Sequence, residues 1–410
     1  MTQAVARIGR PRRLAIDVIA VANLVGTLAK YLGIATVFPI GLALYYSDPV
    51  WPYIATGLGT SGFGFVLERV TAGARSHLGV REGFLVVSAM LLTTAAFASL
   101  PYLMAGGEQL DHPIDAYLEG MSAVTTTGAS VVTDYDAFSP TLAMWRQFTQ
   151  WLGGMGIIIL AVAILPRLRV GGRQMMESEL PGPEIAQLGE RIRALARVLW
   201  AFYIAMTVVL TLLLASLGWL GIDDEMTPYQ ALAHAFSTMP TGGFSPKADS
   251  LASFSAETQW IIALFMFLAG MNLVLLYRGI IRRRPRLFVR DEEFRIYALF
   301  VVVASVALLI QLWSYGIAEG EEAVRTAVFQ AISIITTTGF ATTDFALWPV
   351  ISLLTLFALM FSGGSAGSTT GSIKVVRHLL LGKVLRRELD QTVSPEVVMP
   401  IRPRTSTRRA

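Results

Sequence analysis

The sequence predicts an all-α membrane protein, built from one N-terminal helical hairpin and three repeats of span, short re-entrant helix and span. Of its 410 residues, 54% are hydrophobic and 15% are charged, whereas soluble domains carry about 25% charged residues. Several apolar runs approach or exceed the roughly 20 residues that a helix needs to cross a bilayer. A short motif recurs three times between such runs, which indicates one structural unit used repeatedly.

The candidate spanning helices are the long apolar segments. They lie at residues 14–46, 51–67, 84–105, 141–165, 196–220, 258–277, 296–317 and 348–386. The first is long enough to include an interfacial portion, and the last is interrupted by glycines. Shorter runs at 114–124, 227–238 and 323–335 separate the later pairs of segments. Runs of 10–14 residues suit re-entrant segments better than spans.

The basic residues predict the orientation of the chain. Arginine and lysine cluster at residues 7–13, 69–81, 167–197, 278–295 and 374–387, whereas the opposite loops are mainly acidic and contain Arg146, Lys247 and Arg325 as their basic residues. The positive-inside rule then places both termini in the cytoplasm and the short runs on the outer side of the cytoplasmic (inner) membrane. The basic N-terminus is interpreted as a retained cytoplasmic tail.

These boundaries divide the chain into five parts. Residues 1–80 form the N-terminal tail and hairpin, 81–190 the first repeat, 191–290 the second, 291–387 the third with its interrupted last helix, and 388–410 a polar basic tail that we expect to be disordered. The net charge of +4 fits membrane orientation and requires no nucleic acid partner.

Enzymatic function finds no support in the sequence. Cysteine is absent, which excludes disulfides and thiolate metal sites. No Ser-His-Asp or HExxH pattern appears. His234 lies in the second short run, where Glu119 and Gln330 occupy the corresponding positions of the other repeats. Because the chemistry at this offset varies, packing or capping is favoured over a metal ligand, and neither catalytic residues nor a cofactor are predicted.

The repeated motif contains a serine six residues before a glycine. Its loop residues are Thr126, Thr127 and Gly128 in the first copy, Thr241, Gly242 and Gly243 in the second, and Thr337, Thr338 and Gly339 in the third. Glycine permits positive φ and lets carbonyl groups turn toward an axis. Rings of such carbonyls replace the water shell of a monovalent cation, and the negative end of the preceding short helix would face it. One copy would fit a turn between packed helices equally well, but three matched copies favour a selectivity filter in a pore-loop cation channel-like fold.

An acidic residue follows each loop: Asp134, Asp249 and Asp344. These carboxylates would concentrate cations at an outer mouth or would cap the next span, and the sequence does not favour either.

A glycine-rich stretch interrupts the last span between Gly363 and Ser372. Its distinctive residues are Gly363, Gly364, Gly367, Ser368, Thr369 and Gly371. Each glycine costs about 1 kcal/mol in a helix relative to alanine, so an unwound segment that lines the path and gates it is favoured over a close-packing patch. For the shorter group Gly153, Gly154 and Gly156 the packing interpretation is preferred. Lys374 follows the interruption and would face the cavity or extend to the cytoplasm.

The chain resembles the Trk/Ktr/HKT superfamily of potassium transporters, and most closely its TrkH branch, over about residues 14–400. The most specific segments are 148–156, 234–238, 241–245, 336–341 and 363–369. The resemblance implies K⁺ as the transported ion, one filter glycine per repeat at Gly128, Gly243 and Gly339, and an intramembrane gating loop at the interruption. Glycine at the first of these positions implies K⁺ selectivity. The resemblance also implies a homodimer and a cytosolic nucleotide-binding regulatory subunit.

The sequence departs from this family in one respect. Members have four repeats around one pore, but after Ser372, which stands where the family usually has glycine, no further apolar span and no fourth glycine loop follow. We therefore expect either a K⁺-translocating subunit or, as the alternative, a truncated or non-conducting membrane subunit that needs a fourth repeat from another chain.

Overall fold

The computed structural model describes residues 16–73, 80–164 and 184–393, and all regular structure in these ranges is helical. The α-helices are Val18–Leu32, Val37–Tyr46, Trp51–Val70, Val80–Ala98, Leu100–Ala105, Pro113–Val124, Pro140–Ile164, Glu184–Trp219, Pro228–Thr238, Ala256–Ala269, Leu273–Ile280, Arg286–Arg290, Glu292–Ser314, Gly320–Ile335, Val350–Leu359 and Val375–Val393. Three-residue or four-residue 3₁₀ turns lie at Gly33–Thr36, Gly107–Gln109 and Phe345–Leu347.

The predicted spans correspond to helices, several of them broken. Within the described ranges, Val18–Tyr46, Arg81–Ala105, Ala194–Trp219 and Glu292–Ser314 are long and apolar enough to cross a membrane. The predicted span 258–277 is a pair of helices bent by 111°. The predicted N-terminal tail and residues 394–410 lie outside the described residues, while the last helix continues to Val393, into the segment predicted to be a disordered tail.

Glycines let the two long helices of the N-terminal hairpin touch. A Cβ atom placed on Gly64 would lie 2.3 Å from the backbone nitrogen of Lys30 and 2.6 Å from the carbonyl oxygen of Gly26. Such close backbone approach through small residues is typical of helix pairs in membranes, where apolar burial between helices supplies little driving force.

A short helix lies at each predicted re-entrant run, and we call these the first (Pro113–Val124), second (Pro228–Thr238) and third (Gly320–Ile335) short helices. Each packs against the helix that precedes it in its repeat, namely Val80–Ala98, Glu184–Trp219 and Glu292–Ser314. Proline occupies the first turn of the first two short helices, where its missing N–H costs no hydrogen bond.

The helix that follows each of the first two short helices joins neighbouring repeats. Pro140–Ile164 packs against both the first and the second short helix, and Ala256–Ala269 packs against the second and the third. The three repeats are therefore arranged in chain order, with the C-terminal ends of the short helices brought together.

Glycines at matched positions allow this arrangement. A Cβ atom on Gly154 would lie 2.4 Å from the Cβ of Pro240, and one on Gly270 would lie 2.9 Å from Cγ2 of Thr336. Each glycine thus presses against the loop of the next repeat. These contacts support the packing interpretation of the glycine group at 153–156.

Candidate functional site

The three repeat loops, residues 125–129, 240–244 and 336–340, follow the same backbone path. Each loop has two residues with positive φ. The first is a threonine, Thr126 (56°), Thr241 (55°) or Thr337 (55°), and the second is a glycine, Gly128 (77°), Gly243 (79°) or Gly339 (84°). Left-handed backbone is uncommon for residues other than glycine. Its occurrence at one threonine in every copy shows that the sequence repeat encodes a repeated local structure.

A backbone hydrogen bond from each loop to its short helix fixes this path. The N–H of Thr127 donates to the Ser122 carbonyl, that of Gly242 to the Ser237 carbonyl and that of Thr338 to the Ser333 carbonyl, each at 2.9 Å. The acceptor in this bond is the backbone carbonyl, which every residue has. The bond therefore does not explain why the residue at this position is serine in all three copies. In the third copy the Ser333 hydroxyl also donates to the Phe340 carbonyl at 2.6 Å.

Neighbouring repeat loops touch through the glycines. A Cβ atom on Gly128 would lie 2.2 Å from the carbonyl oxygen of Gly242, and one on Gly243 would lie 1.8 Å from that of Thr338. A Cβ atom on Gly339 would meet nothing within 4 Å. The nine predicted filter residues thus lie in three consecutive loops, each against the next, and the third loop has an open side.

Different side chains support the loops from behind. In the third loop the hydroxyls of Thr336 and Thr338 are 2.7 Å apart, and in the first loop those of Thr125 and Thr127 are 2.8 Å apart. The second loop has proline and glycine at these positions. In the second loop, a side chain from the first repeat provides the support that the two threonine hydroxyls give in the other loops.

That side chain is Gln150, from the helix Pro140–Ile164. Its Oε1 accepts from the Phe244 N–H at 3.3 Å, and a Cβ atom on Gly242 would lie 2.1 Å from its Cδ. Glycine at position 242 therefore makes room for this amide. Sequence reasoning missed Gln150, and the only signal was a polar residue inside an apolar segment.

Of the corresponding residues Glu119, His234 and Gln330, the first two contact the segment that follows their loop. Glu119 accepts from the Ser130 hydroxyl at 3.1 and 3.2 Å, and His234 Nε2 lies 3.2 Å from the Ser245 hydroxyl. In the third repeat alanine occupies the position of these serines, and the Gln330 amide has no hydrogen-bond partner among the described residues. The packing interpretation of this offset agrees with these contacts.

A fully buried ion pair extends this arrangement in the first repeat. The Arg146 Nη2 and Nε atoms lie 2.6 and 2.7 Å from Oε1 of Glu119, and its guanidinium carbon lies 4.4 Å from the centre of the Phe244 ring. The sequence analysis assigned Arg146 to an outer loop, which is wrong, because its side chain is 0% exposed inside the helix Pro140–Ile164. Pairing with Glu119 is what permits a charge at that depth.

The three predicted outer acids are exposed, and two of them cap local turns. Asp134 accepts from the Asp136 N–H, and Asp344 accepts from the Ala346 N–H. The first turns of the following helices are capped by other residues, Asp48 and Ser139 for Pro140–Ile164 and Ser255 for Ala256–Ala269. The acids therefore remain free to act on cations in solution.

The glycine-rich interruption lies against two of the repeat loops. The Gly371 N–H donates to the Thr337 hydroxyl at 2.7 Å, and the hydroxyls of Thr241 and Thr369 are 3.3 Å apart. Lys374 folds back onto the same stretch, where its ammonium donates to the Thr370 hydroxyl at 3.0 Å. These contacts place the predicted gating residues next to the predicted filter residues.

No group of three or more histidine, aspartate or glutamate side chains suitable for a metal ion occurs in the described part of the chain. The three repeat loops offer backbone carbonyl and threonine hydroxyl oxygens, which are ligands that suit a monovalent cation.

Comparisons with known proteins agree with this architecture. The profile of the family described as "TrkH: Cation transport protein" matches residues 63–407. The Trk system potassium uptake protein TrkH of Halomonas elongata is 35% identical over 385 residues, which are 93% of this chain and 78% of that protein. The protein of the same name from Escherichia coli K12 is 34% identical over 387 residues, again 93% of this chain and 78% of the relative.

A solved structure is similar over nearly the whole chain. The crystal structure of the potassium transporter TrkH from Vibrio parahaemolyticus superimposes with a TM-score of 0.82 at 32% identity, covering 95% of this chain and 80% of that chain. The all-helical fold is thus confirmed, and so is the resemblance. The chain belongs to the TrkH family of cation transport proteins.

Proposed function

We propose that this protein carries K⁺ across the cytoplasmic membrane along a path lined by the three repeat loops. The observation that carries the proposal is the contact between loops: the glycine of one copy lies against the carbonyl group of the next, at Gly128 with Gly242 and at Gly243 with Thr338. Backbone oxygens brought together in this way can replace the water of a monovalent cation.

The short helices add to the attraction for a cation. Each ends directly before its repeat loop, so the partial negative charge of its C-terminal carbonyls is directed toward the loop region. The exposed carboxylates of Asp134, Asp249 and Asp344 would raise the local cation concentration on the outer side. The relatives named as potassium uptake proteins make K⁺ the expected ion.

The glycine-rich interruption is the proposed gate. It contacts the inner ends of the second and third loops through Thr369 and Gly371, where a displaced segment would change access to the filter. By family resemblance, we further propose a homodimer with both termini in the cytoplasm, regulated by a cytosolic nucleotide-binding subunit.

The open side of the third loop favours a second candidate. Gly339 has no neighbour where Gly128 and Gly243 each meet another loop, so three loops surround an ion incompletely. In this alternative, the chain is a membrane subunit that conducts only when a fourth loop from another chain closes the ring.

Expression in a potassium-uptake-deficient cell tests both candidates. We expect growth at low K⁺ when the chain is supplied together with the fourth repeat of a TrkH relative, and no growth with the chain alone, because an open ring leaves the ion partly hydrated. Growth with the chain alone would contradict the need for a fourth loop. Failure of both combinations, with the protein present in the membrane, would contradict K⁺ transport.

Replacement of the first filter glycine tests ion selectivity. With a fourth repeat supplied, we expect Gly128→Ser to lower the K⁺ over Na⁺ permeability ratio, because the added side chain lies against the Gly242 carbonyl and displaces it. The matched control is Gly59→Ser in the N-terminal hairpin, where a Cβ atom meets nothing within 4 Å. An unchanged ratio for Gly128→Ser in flux measurements would argue against Gly128 as a filter residue.

A further inference from the structure

The backbone of Ala366, in the middle of the glycine-rich interruption, is held on both sides of its Cα by side chains from different repeats. Its N–H donates to Oε1 of Glu293 at 2.5 Å, and its carbonyl accepts from Nδ2 of Asn272 at 2.7 Å. Glu293 is in the first turn of the helix Glu292–Ser314, whereas Asn272 lies 94 residues from Ala366, at the bend of the second repeat.

Neither contact is incidental. The Asn272 Oδ1 atom caps the helix Leu273–Ile280 by accepting from the N–H groups of Val274 and Leu275 at 3.0 and 3.1 Å. This fixes the orientation of the amide, so its NH₂ group must face the interruption. The Asn272 side chain therefore has two contacts: its Oδ1 atom caps the helix at the bend, and its Nδ2 group binds the Ala366 carbonyl.

Glu293 is 5% exposed, and a carboxylate at such a site requires hydrogen-bond donors. Its neighbour Glu292 instead pairs with Lys383 at 2.5 Å. Adjacent glutamates on one helix thus have different partners, and Glu293 reaches the glycine-rich stretch through its hydrogen bond to Ala366.

We propose that Asn272 and Glu293 are positioning residues that clamp Ala366 and thereby hold the interruption against the repeat loops, so that opening of the path requires release of both bonds. The expected effect of the clamp on K⁺ transport rests on the proposed function, whereas the clamp itself does not. The clamp itself is a statement about where the interruption lies, and it is measurable without ion flux.

Thiol labelling measures the clamp directly, because the chain contains no cysteine. Ser368→Cys is the reporter: Ser368 is 7% exposed and lies two residues beyond Ala366. In membranes containing the full chain, we expect a water-soluble methanethiosulfonate reagent to modify this cysteine about tenfold faster when Asn272→Asp or Glu293→Ala is added, since each change removes the partner of a partly buried backbone group of Ala366.

The variants are chosen to separate the clamp from folding. Asn272→Asp keeps an oxygen to cap the helix but replaces the donor with an acceptor, and Glu293→Gln keeps the acceptor and should label at nearly the parental rate. Glu292→Ala is the matched control and should also label like the parent. A second reporter, Ser305→Cys, which is 8% exposed in the helix Glu292–Ser314, must stay protected in every variant, because its modification would indicate unfolding.

The outcomes are distinct. Unchanged labelling of the Ser368 reporter in both Asn272→Asp and Glu293→Ala would overturn the clamp, as would equal acceleration by Glu292→Ala. Acceleration in the clamp variants, with increased K⁺ flux when the fourth repeat is supplied, supports the clamp and its role in gating. Acceleration without any K⁺ flux, in parent or variants, supports the clamp and contradicts the proposed transport function.

Discussion

Gly243→Ala is expected to abolish the K⁺ uptake seen when the chain is supplied with the fourth repeat of a TrkH relative, and to lower the stability of the protein more than any other single alanine in the repeat loops. The new Cβ atom would lie 1.8 Å from the carbonyl oxygen of Thr338, well inside contact distance, and both partners are backbone, which cannot rotate away. In addition, Gly243 has φ of 79°, where a side chain costs about 1–2 kcal/mol. The two loops would have to separate.

Gly339→Ala is the matched control for this prediction. Its φ of 84° imposes the same backbone strain, but its Cβ atom meets nothing within 4 Å in this chain. Thermal unfolding of the purified chain in detergent, without a fourth repeat, should therefore show a clearly lower midpoint for Gly243→Ala than for Gly339→Ala. Equal midpoints would mean that the second and third loops are not in contact.

Removal of the buried Glu119 carboxylate in the first repeat is also expected to lower the stability of the protein strongly. In Glu119→Leu the Arg146 guanidinium keeps its charge but loses the oxygen that lies 2.6 Å away. An uncompensated buried charge of this kind costs about 3–5 kcal/mol. We expect a large fall in unfolding stability and weaker binding of K⁺, because Arg146 also packs on Phe244 beside the second loop.

The double variant Glu119→Leu with Arg146→Met should recover much of the lost stability, since a buried ion pair replaced by apolar groups of similar size is often near neutral. Glu225→Ala serves as the comparison. It breaks the Lys247–Glu225 pair, whose glutamate is 57% exposed, and exposed pairs contribute about 0–1 kcal/mol. If Glu119→Leu lowered the free energy of unfolding no more than Glu225→Ala does, the buried pair would not be important for the structure.

Much of this architecture is encoded locally. Apolar length predicted where the long helices lie, and the shorter runs predicted the first two short helices to within one residue at each end, whereas the third begins three residues earlier, at Gly320. The spacing of serine and glycine predicted loops of equal form, and the positive φ of Gly128, Gly243 and Gly339 shows their shared geometry. Composition also located the break in the last span, because clustered glycines cannot continue a helix without cost.

Contacts between repeats escaped prediction. Arg146 was predicted to lie among the basic residues of the outer loops, whereas its pairing with Glu119 allows full burial. Gln150 and Asn272 appeared to be isolated polar residues in apolar segments. Each reaches a residue 94 positions away in the chain, a separation over which sequence periodicity carries no information.

The sequence by itself determined the helices, the repeat and the backbone form of each loop, because these depend on residues a few positions apart. Only the tertiary structure decided which loop faces which, that Gly339 borders an open side, and that Ala366 is held by Asn272 and Glu293. The physical reason is that helix formation and turn geometry follow from local sterics and hydrogen bonds, whereas the order of the repeats around a common centre follows from packing between distant surfaces.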